Sequence, residues 1–264
     1  MNRSLELSTL ISDTFAGATR LIMPSLQYAA LFVLSVAILF WGGTALPDGA
    51  GGSLAFIILL AACLFAHSVF SAAMYRELLP TRGGLARAAW KLSLAWLLMV
   101  VIAAIMATII VLFFSLIGSS LGVVSGDSGQ NITDMTAEMR TSGTFYPLFA
   151  LFMLTLLGVF WFGVRMILFS AATASRGAVH VFRTWFWTKG YFLGLAIGVL
   201  LFLVLPLIVG HVLASALIGL IPVSVGSVAH ASLAAGVYAL ALLPAAWLAH
   251  SFTAAAMKAI APGD

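Results

Sequence analysis

Six long runs of apolar residues constrain this chain more than any other feature of its sequence. Each run lacks Asp, Glu and Lys, and each is near or above the ~20 residues that a helix needs to cross a bilayer. The runs cover residues 22–41, 53–75, 92–117, 146–172, 191–213 and 231–256. They predict an all-α, polytopic membrane protein with six transmembrane helices, forming a single integral membrane domain over residues 1–264. Pro206 and Pro244 predict local kinks in the fifth and sixth runs.

The composition argues against a soluble catalytic domain. Only 8% of the 264 residues are charged, whereas soluble domains carry about 25%. The eight carboxylates are scattered and none lies inside a run. The sequence has no Gly-rich phosphate loop, no metal-spaced Cys/His set and no serine nucleophile motif, and the single Cys63 cannot form an intrachain disulfide. We therefore expect no enzyme activity, no catalytic or metal-binding residues and no cofactor.

The basic residues predict the orientation in the membrane. Ten of the twelve lie on one side of the predicted spans, and they are Arg3, Arg20, Arg76, Arg82, Arg87, Lys91, Arg176, Arg183, Lys189 and Lys258. The opposite side has only Arg140, and Arg165 lies inside the fourth run. Cytoplasmic loops carry the excess of Lys and Arg, so both termini should be cytoplasmic. The net charge of +4 thus reflects topology, and nucleic acid is not an expected partner.

A short pattern recurs at the ends of runs two, four and six. Each of these runs ends on Phe-Ser-Ala-Ala or its Thr variant, which we call the three endings, at residues 70–73, 169–172 and 252–255. Small residues let helix backbones approach closely in lipid. The endings predict three copies of one unit, roughly 4–76, 83–175 and 176–258, although small residues also recur by chance in an Ala-rich chain.

The predicted unit is a short amphipathic cytoplasmic helix, an outward span and an inward span. The segments before runs one, three and five share a small residue followed by an aromatic one, at Thr14-Phe15, Ala89-Trp90 and Thr184-Trp185. Each copy enters and leaves on the same side. Such copies would be related by a pseudo-threefold axis along the membrane normal.

The first of these segments, residues 4–20, has an apolar face at helical spacing. The face is formed by Leu7, Leu10, Ile11, Phe15 and Ala18. Such a helix either lies in the membrane interface or packs on the cytoplasmic ends of the spans. The sequence does not distinguish the two.

Three polar residues form a candidate intramembrane cluster. Arg165 is the only charge inside a run, and it can snorkel towards headgroups, bind a lipid phosphate or another anion, or serve as a structural hydrogen-bond donor. His67 lies three residues before the first ending and His250 two residues before the third, at a depth similar to that of Arg165. The hypothesis is that the three converge in the inner half of the bundle. The alternative is that each histidine only packs between helices.

The segment 182–192 mixes aromatic and basic residues. Trp and Tyr favour the headgroup region, and basic side chains attract anionic lipid. We interpret Arg183, Trp185, Trp187 and Lys189 as an interfacial anchor. A groove for a protein partner is the alternative.

Two stretches carry a family resemblance: Thr14-Phe15 after a Leu-rich helix, and the Arg-Gly-Ala-Val…Arg-Thr-Trp…Thr-Lys-Gly pattern of residues 176–190. They resemble uncharacterised bacterial six-span proteins similar to the membrane domain fused to some glycerophosphodiester phosphodiesterases. The resemblance spans most of the chain and implies a module of the bacterial inner membrane. It implies no phosphodiesterase activity, because this chain lacks the soluble barrel that carries the chemistry in the fused proteins.

Two classes of function follow. The first is a non-enzymatic membrane module that organises or binds lipids or partner proteins. The second is a transporter or channel for an anionic or lipid-like solute, using Arg165 and the central helix interface. The expected partners are membrane lipids, including anionic ones, and a protein partner or a second copy of the chain.

Overall fold

The structure is a computed structural model that describes residues 6–120, 140–141 and 143–261. This part of the chain is all-helical. Its helices are α1 (Leu7–Ala45), α2 (Ala50–Leu78), α3 (Leu85–Ser120), α4 (Phe145–Met166), α5 (Phe169–Arg176), α6 (Arg183–Trp187), α7 (Phe192–Val199), α8 (Leu205–Ile218), α9 (Val228–Ala241) and α10 (Leu243–Ile260), with a π-helical segment at Leu200–Val204 between α7 and α8. The polar stretch between the third and fourth apolar runs, residues 119–145, lies mostly outside the described residues.

Five helical stretches of the described chain are long and apolar enough to cross a membrane. They are α1, α2, α3, α4 with α5, and α7 through α8. A sixth exists only if α9 and α10, which bend by 41° at Leu242, form one broken span. The membrane-spanning class is thus supported, with five or six spans. The bend confirms the kink predicted from Pro244, which lies in the first turn of α10 and cannot donate a hydrogen bond to the carbonyl four residues earlier, in α9.

Pro206 produces a different irregularity. It lies in the first turn of α8, directly after the π-helical segment. A proline cannot donate to the carbonyl four residues earlier, so the backbone before it adopts a wider hydrogen-bond pattern.

The amphipathic segment predicted before each pair of spans is continuous with the span that follows it in the first two copies. The segment before the first span is the beginning of α1, and that before the third is the beginning of α3. Only the third is a helix of its own, α6. Gly177 and Gly190, with φ of 66° and 91°, flank it and adopt the left-handed conformation that ends helices.

The N-terminal turns of α1 pack on the ends of the spans. Leu10, Thr14 and Ala18 are buried. The Ser251 hydroxyl of α10 donates to the Thr14 carbonyl at 2.7 Å, and a side chain at Gly17 would overlap the Ser251 hydroxyl. Of the two interpretations of this segment, the structure therefore agrees with a helix packed on the ends of the spans and differs from a helix lying free in the interface.

The contacts divide the chain into two compact units. The larger comprises Met1–Trp96 and Val164–Asp264, and the smaller comprises Leu97–Gly163. In the smaller unit, Phe114 of α3 contacts Phe152 of α4 edge to face at 6.1 Å. Many large apolar side chains of this unit are exposed, among them Leu112 and Leu154, as expected for helices that face lipid. The single domain over 1–264 stays a prediction.

The three endings form the core of the larger unit. All twelve of their residues are buried. The Tyr75 hydroxyl, just after the first ending, lies 2.6 Å from Ser170 Oγ of the second and 2.9 Å from Thr253 Oγ1 of the third. The prediction that these small residues allow close packing is confirmed. The repeat symmetry itself is not established by these contacts.

Candidate functional site

A cleft with a volume of about 790 Å³ lies among the helices of the larger unit. This volume falls within the ~300–1,000 Å³ typical of ligand pockets. The cleft is partly open to the exterior. Seven alanines of α9 and α10 leave room for it, and they are Ala231, Ala234, Ala235, Ala239, Ala245, Ala246 and Ala249. No Asp, Glu, Lys or Arg is among the described residues that line the cleft. The cleft therefore suits an apolar or weakly polar molecule.

Five polar lining residues gather where the three endings meet, while Tyr238 of α9 also lines the cleft and pairs with His211. The five are Tyr75, Ser170, Thr253, His67 and His250. The lining elsewhere is aliphatic or aromatic, for example Phe40 of α1 and Leu207 of α8. The cleft is therefore amphipathic, with one polar region and a long apolar remainder.

His250 has both ring nitrogens satisfied. Its Nδ1 lies 2.8 Å from the Ala246 carbonyl, which can only accept, so Nδ1 carries the proton. Its Nε2 then accepts from the Ser71 hydroxyl at 2.9 Å. This geometry orients the imidazole and connects α10 to α2. His250 has no nitrogen left to bind a ligand in this arrangement.

His67 lies beside His250 but is differently paired. The two ring centroids are 6.5 Å apart. His67 contacts the rings of Phe32 at 5.2 Å and Trp96 at 5.1 Å. Its ring nitrogens have no hydrogen-bond partner among the described residues, and Trp96 Nε1 is buried and also unpartnered there. Two polar groups at one point of the cleft thus lack partners.

Arg165 is buried and contacts a different set of residues. Its Nη2 donates to the Trp185 carbonyl, and its guanidinium lies over the Trp185 ring at 4.9 Å. Its own carbonyl accepts from the Thr188 hydroxyl at 3.0 Å. It does not line the cleft that His67 and His250 share. The structure thus brings the two histidines together, whereas Arg165 connects the end of α4 to α6 and the residue after it.

The guanidinium of Arg165 lacks a counter-ion within the described chain. None of the described carboxylates pairs with it, and its Nε is buried without a partner. A buried charge is normally paired or held by several hydrogen bonds. Arg165 therefore keeps one buried N–H donor without a partner among the described residues.

Two of the four residues of the predicted interfacial anchor, both tryptophans, make contacts within the protein. Trp185 packs on Arg165, and Trp187 lies under the Arg176 guanidinium at 4.5 Å. Arg183 and Lys189 are exposed. Burial, followed by the charges of Arg183 and Arg176, lowers the pKa of nearby His180. The positive charge available to a headgroup in this segment thus comes from arginine and lysine.

The sequence analysis did not identify Tyr75, Trp96 or the seven cleft-lining alanines as candidate site residues. Tyr75 is the second residue after the first ending, a position from which its hydroxyl reaches the other two endings. Trp96 belongs to an unbroken apolar run, so nothing local distinguishes it from an interfacial tryptophan. Alanines of α9 resemble ordinary packing positions. Among the described residues, no group of three His, Cys, Asp or Glu side chains is placed to hold a metal ion.

The described helices and the cleft together define a helical membrane protein whose larger unit contains an amphipathic cleft. No protein-family model, curated protein or solved structure matches the chain.

Proposed function

We propose that this protein is an integral membrane module that binds a lipid-like molecule in the cleft of its larger unit. The observation that carries the proposal is the cleft itself, which is large, partly open and lined without a single charged residue. An apolar molecule gains free energy by filling such a space, through dispersion and the removal of apolar surface from water. The proposed function is binding alone, without enzyme activity.

Filling the cleft tests the proposal. Ala249→Phe places a ring into the cleft and is expected to reduce co-purifying lipid at least about tenfold, a loss of ~1.4 kcal/mol in binding free energy. The measurement is quantitative mass spectrometry of lipid extracted from protein purified in mild detergent.

Ala62→Phe is the matched control. Ala62 lies on α2, is exposed and does not line the cleft. This variant should retain the wild-type amount of lipid. Equal lipid content in Ala249→Phe and wild-type protein, with both folded, would refute the proposal.

We also propose a role for Arg165, whose guanidinium has no counter-ion among the described residues and is suited to a lipid phosphate. Arg165→Met is expected to lower the ratio of anionic to zwitterionic lipid that co-purifies by about threefold, or ~0.7 kcal/mol. Arg87→Met removes an exposed charge from α3 and serves as the control. If both variants lower the ratio equally, Arg165 contributes only its net charge.

The alternative of a transporter or channel has less support. It requires Arg165 to act on a solute at the central helix interface, and Arg165 is not among the cleft-lining residues. Solute uptake into vesicles that contain the purified protein, compared with Arg165→Met, would reveal such a function.

We also propose the finer architecture that the sequence predicts. Three hairpins would surround a pseudo-threefold axis, supported by the meeting of the three endings at Tyr75. The basic end of the bundle would face the cytoplasm of a bacterial inner membrane, supported by the placement of Lys and Arg. Cysteine labelling of Ser4→Cys in sealed cells tests the orientation, because a cytoplasmic N-terminus should be protected from an impermeant reagent.

A further inference from the structure

His67 and Trp96 are lining residues of the cleft whose ring N–H groups a bound molecule can satisfy. The neighbouring groups already have partners: Tyr75 binds Ser170 and Thr253, and His250 binds Ser71 and the Ala246 carbonyl. The His67 ring lines the cleft with no hydrogen bond from any described residue. A polar group left unpaired in apolar surroundings costs free energy, which a ligand would recover.

The unpartnered groups at this point are mainly donors. A neutral imidazole has one N–H donor and one acceptor nitrogen, and an indole has a donor only. Trp96 lies edge to face with His67, and its Nε1 is unpartnered among the described residues. His67 and Trp96 together therefore have two N–H groups for one acceptor nitrogen. This excess of donors favours a ligand that brings an acceptor oxygen.

The lining also determines the charge and shape of the ligand. An ionised headgroup would lose its hydration beside His67 and find no counter-ion in the cleft. The apolar part extends along the fifth span from Leu203 to Ile218, about 22 Å of helix. The ligand should therefore combine an uncharged polar head with a long apolar chain.

We propose that the cleft binds a neutral lipid with a carbonyl oxygen, and that His67 donates a hydrogen bond to that oxygen. This inference rests on the proposed function, because it identifies the class of lipid that the cleft takes. The carbonyl belongs to an ester or a ketone; the shared chemistry is an uncharged acceptor at the end of a long hydrocarbon.

Three probes of equal chain length test the inference: a fatty acid methyl ester, the alkane and the ionised fatty acid. Each competes with a photoactivatable hydrocarbon for the protein in lipid nanodiscs. The ester should bind wild-type protein about tenfold more tightly than the alkane, corresponding to one net hydrogen bond. The ionised acid should bind more weakly than the ester. Equal affinity for ester and alkane, or a preference for the ionised acid, would overturn the inference.

Two substitutions separate the hydrogen bond from simple packing. His67→Phe keeps an aromatic ring and should abolish the preference for ester over alkane, while alkane affinity stays within about twofold. His67→Gln retains an N–H donor and should restore most of the preference. A tenfold preference that persists in His67→Phe would contradict the role of His67.

A spectroscopic measurement needs no variant. The infrared band of a ¹³C-labelled ester carbonyl should move to lower frequency on binding the wild-type protein, because a donated hydrogen bond weakens the C=O bond. An unshifted band for the bound ester would reject the proposed bond.

The outcomes also distinguish this inference from the proposed function. If ester and alkane bind equally and Ala249→Phe displaces both, the cleft binds lipid but His67 does not select a carbonyl. If none of the probes binds, both proposals fail.

Discussion

Replacing Gly198 with leucine is expected to abolish recovery of folded protein. Gly198 lies in α7, where a Cβ would overlap the Cε2 and Cζ atoms of the Phe252 ring. That ring is fully buried and stacks on Phe202 at 5.7 Å, so it has little room to move. Overpacking a well-filled core costs about 1–3 kcal/mol and occasionally more. A whole leucine side chain at this position should cost more than the bundle tolerates. Size-exclusion chromatography and thermal unfolding measure how much folded protein is recovered.

Alanine substitutions provide the graded comparison. Gly198→Ala should destabilise the protein even though alanine favours a helix over glycine by about 1 kcal/mol. Gly236 of α9 is the matched control, because a Cβ there would lie an ordinary 3.7 Å from the Ala37 Cβ. Gly236→Ala should be neutral or stabilising. A higher melting temperature for Gly198→Ala than for wild-type protein would show that the α7–α10 contact is not tight.

Removing the Tyr75 hydroxyl is expected to cost about 1–2 kcal/mol of unfolding free energy. The hydroxyl joins Ser170 of the second ending to Thr253 of the third, and the ring is buried between them. Tyr75→Phe leaves the Ser170 hydroxyl without the only partner that it has among the described residues. Denaturant or thermal unfolding in detergent measures the loss.

A double-mutant cycle isolates the Tyr75–Ser170 interaction. Tyr75→Phe combined with Ser170→Ala should cost less than the sum of the single changes, because the double variant leaves no orphaned hydroxyl. Tyr238→Phe is the control, since the Tyr238 hydroxyl pairs with His211 at an exposed site. Strict additivity at Tyr75 and Ser170 would mean that their contact contributes no coupling energy.

The helical class and most of the spans could be predicted from the apolar runs. Length alone excludes a strand for runs of twenty or more residues, and the backbone in lipid must satisfy its own hydrogen bonds. The break at Leu242 was foreseeable from Pro244. Helical periodicity runs from the amphipathic segments into the first and third spans, in agreement with the continuous α1 and α3. The separation of α6 from the span that follows it was not predicted.

The candidate site could be predicted in part. His67 and His250 stood out because polar side chains are rare in the runs, and the structure places their rings together. Arg165 stood out for the same reason. The sequence did not show which face of α4 carries it, and in the structure it contacts Trp185 and Thr188. Whether the three share a site stays a prediction.

The sequence by itself determined that the chain is helical, that it belongs in a membrane, and that three similar endings would pack closely. Only the tertiary structure decided which apolar residues enclose a cleft and which face outward. The physical reason is that lipid is as apolar as a protein interior. Ala249 in the cleft and Ala62 on the outer surface therefore look alike in sequence, and their difference exists only once the helices have packed.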